Sequence, residues 1–176
     1  MSKKSVTTNL LEFLKKVTRN VDNGDPMDVI YLDFSKAFDK VSKLCLIEKI
    51  KAHSIVGKAL NWIMNWLIDR HHCTVLNGFF SDWSAVESGV LQGSVLGPLA
   101  SVVFINDLDD CANLKAVINK FADDAKLGHL VNSETDQDQL QYCLNKLLEW
   151  AETWCMEFNV NKCKVINAHW KEKQAV

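Results

Sequence analysis

The sequence lacks the features that mark membrane, secreted and disordered proteins. No apolar run approaches the roughly 18 residues that a membrane span needs; the longest candidate, residues 96–105, is interrupted by Pro98 and Ser101. Residues 1–4 contain no apolar signal core. With only two Pro and seven Gly among 176 residues, low-complexity sequence is excluded as well. We therefore expect an intracellular protein, cytoplasmic, nuclear or both, with no membrane partner.

Metal-binding and disulfide patterns are also missing. The six cysteines show no C-x-x-C spacing, and without a secretory signal we expect them to be reduced and mostly buried thiols. His71, His72 and Cys73 are consecutive, but neighbouring side chains in a strand point to opposite faces, so a shared zinc ion is not expected.

The composition favours one folded domain over residues 1–176. Apolar residues make up 48% of the chain and include six Trp and eight Phe, enough for a substantial core. The net charge is −2, with basic residues near both ends and acids crowded between residues 107 and 138. This distribution fits a metal site beside a track for a phosphate backbone, and it fits solvated helix faces equally well.

Apolar periodicity predicts alternating helices and strands. The order indicates an α+β fold of the split βαβ type, an antiparallel sheet with helices covering one face. Asn77-Gly78 is a hairpin signal, and Ser94 is placed to cap a following helix. We expect helices at residues 8–18, 35–53 (with a break near 41–42), 56–69, 95–108 and 136–156, and strands at 28–34, 73–76, 84–87, 115–122, 125–131 and 163–166.

Three aspartates occur where predicted strands end. Asp123 and Asp124 separate two apolar runs, which predicts a two-residue hairpin turn, and Asp33 directly follows the apolar run 29–32. An Asp pair alone is usually a polar turn, and an Asp after a strand is often a helix N-cap. Gathered at one rim, however, three carboxylates could hold a pair of divalent cations for nucleotidyl transfer. We assign Asp33 and Asp123 as bridging ligands and Asp124 as a third carboxylate, with two Mg²⁺ as the expected ions and Mn²⁺ as a substitute.

Four segments make this interpretation specific. Tyr-Leu-Asp-Phe-Ser-Lys-Ala-Phe-Asp at residues 31–39 resembles motif A of reverse transcriptases, and Gln-Gly-Ser-Val-Leu-Gly-Pro-Leu at 92–99 resembles motif B. Phe-Ala-Asp-Asp at 121–124 resembles motif C, and Phe-Asn-Val-Asn-Lys-Cys-Lys at 158–164 is similar to motif D. All four follow the family's order, and motifs A to C resemble the jockey-like clade of non-LTR retrotransposon polymerases.

The resemblance implies a reverse-transcriptase palm at residues 28–167, with a remnant of the fingers at 1–27, a tail at 168–176 and no thumb. It implies an RNA-directed DNA polymerase that uses an RNA template, a DNA primer and dNTPs.

The resemblance also implies roles for individual residues. Phe38 matches the aromatic residue under the incoming sugar, and Phe34 matches a substrate-binding position; from its spacing alone, Phe38 could equally be a core residue. Gln92 and Gly93 match the loop that faces nucleotide and template, although they could be only a turn. Lys162 matches the motif D lysine proposed to protonate the departing pyrophosphate; otherwise it is a surface lysine.

Several positions depart from the family pattern. Leu91 replaces the usual Pro, and Ala100-Ser101 replaces the usual Leu-Phe pair, which predicts lost core volume. These changes motivate an alternative, in which the chain is a truncated, inactive remnant that at most binds nucleic acid or protein. A different palm-type nucleotidyltransferase is disfavoured by the Gln92-Gly93-Ser94 loop. The sequence leaves the oligomeric state open.

Overall fold

The computed structural model describes residues 6–111, 116–121 and 124–169. They form two compact units, which confirm the predicted α+β class. Across the described residues, no helix combines the length and the apolar character that a membrane crossing requires. The predicted division into fingers remnant, palm and tail stays a prediction.

The first unit is built on a four-stranded antiparallel sheet with the order β6 (Val117–Phe121), β7 (Asp124–Leu130), β1 (Met27–Asp33) and β8 (Lys164–Ala168). Strand β1 is central because β7 and β8 both pair with it, and this explains why its apolar residues are buried. Helix α1 (Val6–Asp22) contacts β6 and β1, and helix α5 (Glu134–Thr153) contacts β7.

Helix α1 packs on the sheet through an aromatic side chain, Phe13. Phe13 is buried, and its ring lies 3.5 Å from where a Cβ on Gly128 would be. Leu11 and Leu14 of the same helix are 59% and 41% exposed. Phe13 packs inward because the small residue in β7 leaves space for its ring.

The second unit is mainly helical. Its elements are α2 (Lys43–Ala52), α3 (Gly57–Leu67), β2 (His71–His72), β3 (Val75–Leu76), β4 (Phe79–Phe80), β5 (Ser84–Ala85) and α4 (Leu96–Phe104). Helix α2 contacts both α3 and α4, and Leu46, Leu67 and Phe104 are fully buried in this unit. The ammonium group of buried Lys49 lies 3.9 Å from the ring centre of Trp154. A 3₁₀ helix (Asn106–Cys111) follows α4 in the chain, and its residues from 107 onward belong to the first unit.

Two predicted elements need correction. Residues 35–42 form turns instead of a helix, because Lys36 has a left-handed backbone (φ 51°) and α2 begins only after Ser42, whose hydroxyl accepts from the Cys45 amide. The Asn77-Gly78 hairpin is present, but it pairs β3 with β4; β5 pairs with β2 instead.

The prediction of mostly buried thiols is wrong as well, since Cys143 alone of the six cysteines is buried.

Candidate active site

The sheet brings two of the three predicted acids together. Asp33 ends β1 and Asp124 begins β7, and the two are direct partners in the antiparallel register. Directly opposed residues lie on the same face with their Cβ atoms about 5 Å apart. Asp123 lies outside the described residues, so its predicted approach to Asp33 stays a prediction. The prediction that Asp124 belongs to the turn is wrong, because Asp124 is a strand residue that pairs with Phe121.

The Asp33 carboxylate has one oxygen that is buried without a hydrogen-bond donor. Its side chain is 18% exposed, and the Oδ2 atom is buried without accepting a hydrogen bond. The Lys162 Nζ atom lies 3.2 Å from this oxygen, within ion-pair distance but outside hydrogen-bond geometry. A buried acceptor without a donor is costly, so this oxygen is available to a cation.

Lys162 reaches Asp33 because the chain before β8 runs along the end of β1. The Asn159 amide donates to the Asp33 carbonyl at 2.8 Å, and the Ser35 amide donates to the Glu157 carbonyl at 2.7 Å. A turn then follows, in which the Lys162 amide donates to the Asn159 carbonyl at 2.9 Å. This main-chain frame places an exposed lysine beside a mostly buried aspartate.

Phe34 is a packing residue in this structure. Its side chain is 3% exposed, its ring stacks on Phe158 with centroids 4.6 Å apart, and the Trp150 ring lies 5.9 Å away. The substrate contact predicted for Phe34 would therefore have to come from its main chain.

In the second unit, the backbone around Phe38 is hydrogen-bonded to the segment that leads into the predicted motif B loop. The Val90 amide donates to the Phe38 carbonyl and the Gly89 amide to the Val41 carbonyl, both at 2.8 Å. The Ser88 hydroxyl donates to the Asp39 carbonyl at 2.7 Å. The side chain of Phe38 is half-buried.

Gln92 and Gly93 form an exposed turn before α4. Gly93 has φ 81° with open space around it, so a ligand can approach its backbone closely. The Ser94 hydroxyl accepts from the Gly97 amide at 2.9 Å and donates to the Leu91 carbonyl at 2.6 Å. The predicted capping role of Ser94 is confirmed.

A groove of about 520 Å³ adjoins this turn within the same unit. Asp39, Arg70, His72 and Gln92 are among the residues that line it. The Arg70 guanidinium donates to the carbonyls of Leu67 and Gly89, and burial lowers the pKa of Arg70 from its ordinary value. An arginine remains protonated despite such a shift, so one wall of the groove is positively charged.

Gly89 is a site-shaping residue that the motif analysis missed. A Cβ at this position would lie 2.7 Å from the Asp39 carbonyl oxygen. The available signal was a glycine between a predicted strand and the motif B turn, a position that often marks close approach of two backbones.

Among the described residues, no group of three or more His, Cys, Asp and Glu side chains could hold a metal ion. Asp33 and Asp124 supply two carboxylates, which are the hard oxygen donors that Mg²⁺ prefers.

Comparison with known proteins decides the family. Residues 4–174 match the family described as reverse transcriptase (RNA-dependent DNA polymerase). The chain belongs to the reverse transcriptase family. It is 30% identical over 156 residues to the probable RNA-directed DNA polymerase from transposon BS of Drosophila melanogaster, covering 84% of this chain and 17% of that protein. It is 31% identical to the RNA-directed DNA polymerase from mobile element jockey of Drosophila funebris, covering 76% and 15%.

These relatives confirm the predicted resemblance to jockey-type non-LTR elements, and the chain spans about one sixth of their length. Among solved structures, apo telomerase from Candida tropicalis, truncated from its C-terminal domain, matches with a TM-score of 0.72 at 12% identity, covering 97% of this chain and 37% of that one. Telomerase from Candida albicans in complex with the TWJ fragment of telomeric RNA matches with a TM-score of 0.71 at 15% identity, covering 97% and 32%. At these identities the likeness concerns the fold alone.

Proposed function

We propose that this chain forms the catalytic palm of an RNA-directed DNA polymerase of a non-LTR retrotransposon. In the reaction, a primer 3′-hydroxyl attacks the α-phosphorus of a dNTP, and pyrophosphate leaves. The observation that carries the proposal is the Asp33–Asp124 pair at one end of the sheet, with a buried Asp33 oxygen that lacks a hydrogen-bond donor. Family membership supports the same reaction class.

Asp33, Asp123 and Asp124 would hold two Mg²⁺ ions, with Mn²⁺ as a substitute. The donor set fits this role, because carboxylate oxygens suit hard cations and Asp33 Oδ2 is buried without a hydrogen-bond donor. Such ions lower the pKa of an attacking hydroxyl and stabilise a leaving pyrophosphate. Lys162, beside Asp33, is positioned to donate a proton to that leaving group.

Nucleotide selection is assigned to the second unit. Phe38 would lie under the incoming sugar and disfavour a ribose 2′-hydroxyl, while the exposed Gln92-Gly93 turn would face nucleotide and template. RNA template, DNA primer and dNTPs are the proposed partners. The Candida albicans telomerase, which shares the fold, was solved with an RNA fragment, and this supports an RNA partner.

Primer extension by the purified chain on an RNA template with Mg²⁺ tests the proposal. We expect extension that falls by about 100-fold or more in Asp33→Asn and Asp123→Ala, because each change removes a charged metal ligand. Asp28→Asn is the matched control on the same strand; Asp28 accepts a hydrogen bond from Asn167 at 2.7 Å, away from the acids. Extension that persists unchanged in Asp33→Asn would contradict the assignment.

A second candidate is an inactive remnant that binds nucleic acid or protein. It is favoured by Ala100, which borders a small apolar cavity of about 40 Å³ where the family usually has a larger residue. RNA binding without extension, in the wild-type chain and Asp33→Asn alike, would select this candidate.

A further inference from the structure

Two like charges face each other at one end of the two central strands. Asp33 and Asp124 are direct partners between β1 and β7, and like charges directly opposite each other destabilise an antiparallel pair. The Asp33 Oδ2 atom is moreover buried and accepts no hydrogen bond. The folded protein therefore needs a positive charge at this position.

Within the described residues, Lys162 supplies that charge. Its Nζ atom lies 3.2 Å from the Asp33 Oδ2 atom. This distance is too short for a water molecule to lie between the ammonium and the carboxylate. We propose that Lys162 is the resident counter-ion of Asp33, which occupies the carboxylate until a divalent cation displaces it. This inference rests on the proposed function, because it assumes that Asp33 is a metal ligand.

The geometry allows the lysine to leave without disturbing the fold. Its side chain is 67% exposed, so the ion pair is weak and the ammonium can move into water on its flexible stem. The main chain remains held, because the Asn159 amide binds the Asp33 carbonyl and the Lys162 amide binds the Asn159 carbonyl. Displacement therefore moves only the four-carbon stem and its charge.

Mn²⁺ binding to the purified chain, measured from the free Mn²⁺ signal by electron paramagnetic resonance without nucleotide or primer, tests the proposal. We expect Lys162→Met to bind Mn²⁺ about fivefold more tightly than wild type, the scale of an exposed ion pair. Lys162→Arg should retain the wild-type affinity because it keeps the charge. Lys164→Met is the matched control: it removes the same charge two residues away, from an exposed strand position paired with Tyr31.

Equal affinities for wild type and Lys162→Met would overturn the inference while leaving the proposed function intact. If Lys162→Met and Lys164→Met raise the Mn²⁺ affinity equally, the inference is also overturned. The loss of one positive charge anywhere nearby would then explain the effect. If wild type, Lys162→Met and Asp33→Asn bind no Mn²⁺ at millimolar concentration, the metal assignment itself fails and the inference falls with it. Circular dichroism checks that each variant is folded.

Discussion

Gly89 lies where two backbone segments come closest in the second unit. Its φ of 85° is in the left-handed region, and an added Cβ would lie within 2.8 Å of the Phe38 and Asp39 carbonyl oxygens. Both atoms belong to the main chain, so they cannot rotate away as a flexible side chain would. The residue thereby positions the turn that carries Phe38.

Gly89→Ala should lower the free energy of unfolding by about 2–4 kcal/mol, because backbone strain and a main-chain clash add. Gly24→Ala is the matched control, since Gly24 has φ 87° with nothing within 4 Å of the new Cβ. It should cost only about 1 kcal/mol, the strain of a left-handed L-residue. Urea denaturation followed by circular dichroism measures both, and equal losses would show that the close approach contributes nothing.

At the scale of elements, α5 shows how tertiary contacts modify a periodic apolar face. Leu147 on the leucine-rich side is buried, but its neighbour Leu148 is 53% exposed. Trp150 is buried as well, because its indole donates to Asp107 at 3.0 Å and its ring lies against Phe34. Partners from distant segments thus widen the buried stripe beyond the leucines.

Helix α4 carries the small residues that depart from the family pattern. Ala100 and Ser101 are 8% and 7% exposed, so the prediction that they occupy core positions is confirmed. Ala100 borders the apolar cavity of about 40 Å³ beside Ile63, Trp66 and Leu99. The space left by the small side chain is therefore not fully filled by its neighbours.

Ala100→Leu should raise the free energy of unfolding by about 1 kcal/mol by filling this cavity. Ala59→Leu makes the same change at an exposed position on α3 and should stay within about 0.5 kcal/mol of wild type. Thermal and urea unfolding of the three proteins measure the difference. A destabilised Ala100→Leu would show that the cavity is too small and that the helix is overpacked.

At the scale of the whole molecule, the sheet joins segments that are far apart in the chain. Strand β1 pairs with β7 and with β8, so residues near 30, 127 and 166 lie side by side. One consequence is that the acids needed for the proposed chemistry are placed opposite each other, where they oppose folding. The site is thus expected to lower the stability of the metal-free protein.

Asp124→Asn should raise the free energy of unfolding without metal by about 0.2–1 kcal/mol, because it removes the like charge opposite Asp33. It should also abolish the stabilisation that added Mg²⁺ gives the wild type. Asp82→Asn, at an exposed loop position, removes the same charge and should change neither quantity. Melting temperatures with and without Mg²⁺ provide the measurement; a less stable Asp124→Asn in the absence of metal would contradict the opposed-charge argument.

Much of the fold and part of the candidate site followed from local patterns. The Asn77-Gly78 turn, the capping by Ser94 and the placement of Asp33 at a strand end each depend on a few neighbouring residues, so they could be read directly. The turns at residues 35–42 could not, because they require a left-handed backbone at Lys36, next to a Ser35 amide that donates to the distant Glu157 carbonyl. Gly89 was missed because its close contacts, the Phe38 and Asp39 carbonyl oxygens, also lie in a distant part of the chain.

By itself, the amino-acid sequence determined the family, through four short motifs in order, and the α+β class, through apolar periodicity. Only the tertiary structure decided that Asp124 opposes Asp33 and that the Lys162 ammonium lies 3.2 Å from a buried Asp33 oxygen. Motifs and periodicity are local properties of a chain. The strand register and the ion pair, by contrast, join residues about 90 and 130 positions apart, and such pairings form only when the whole sheet assembles.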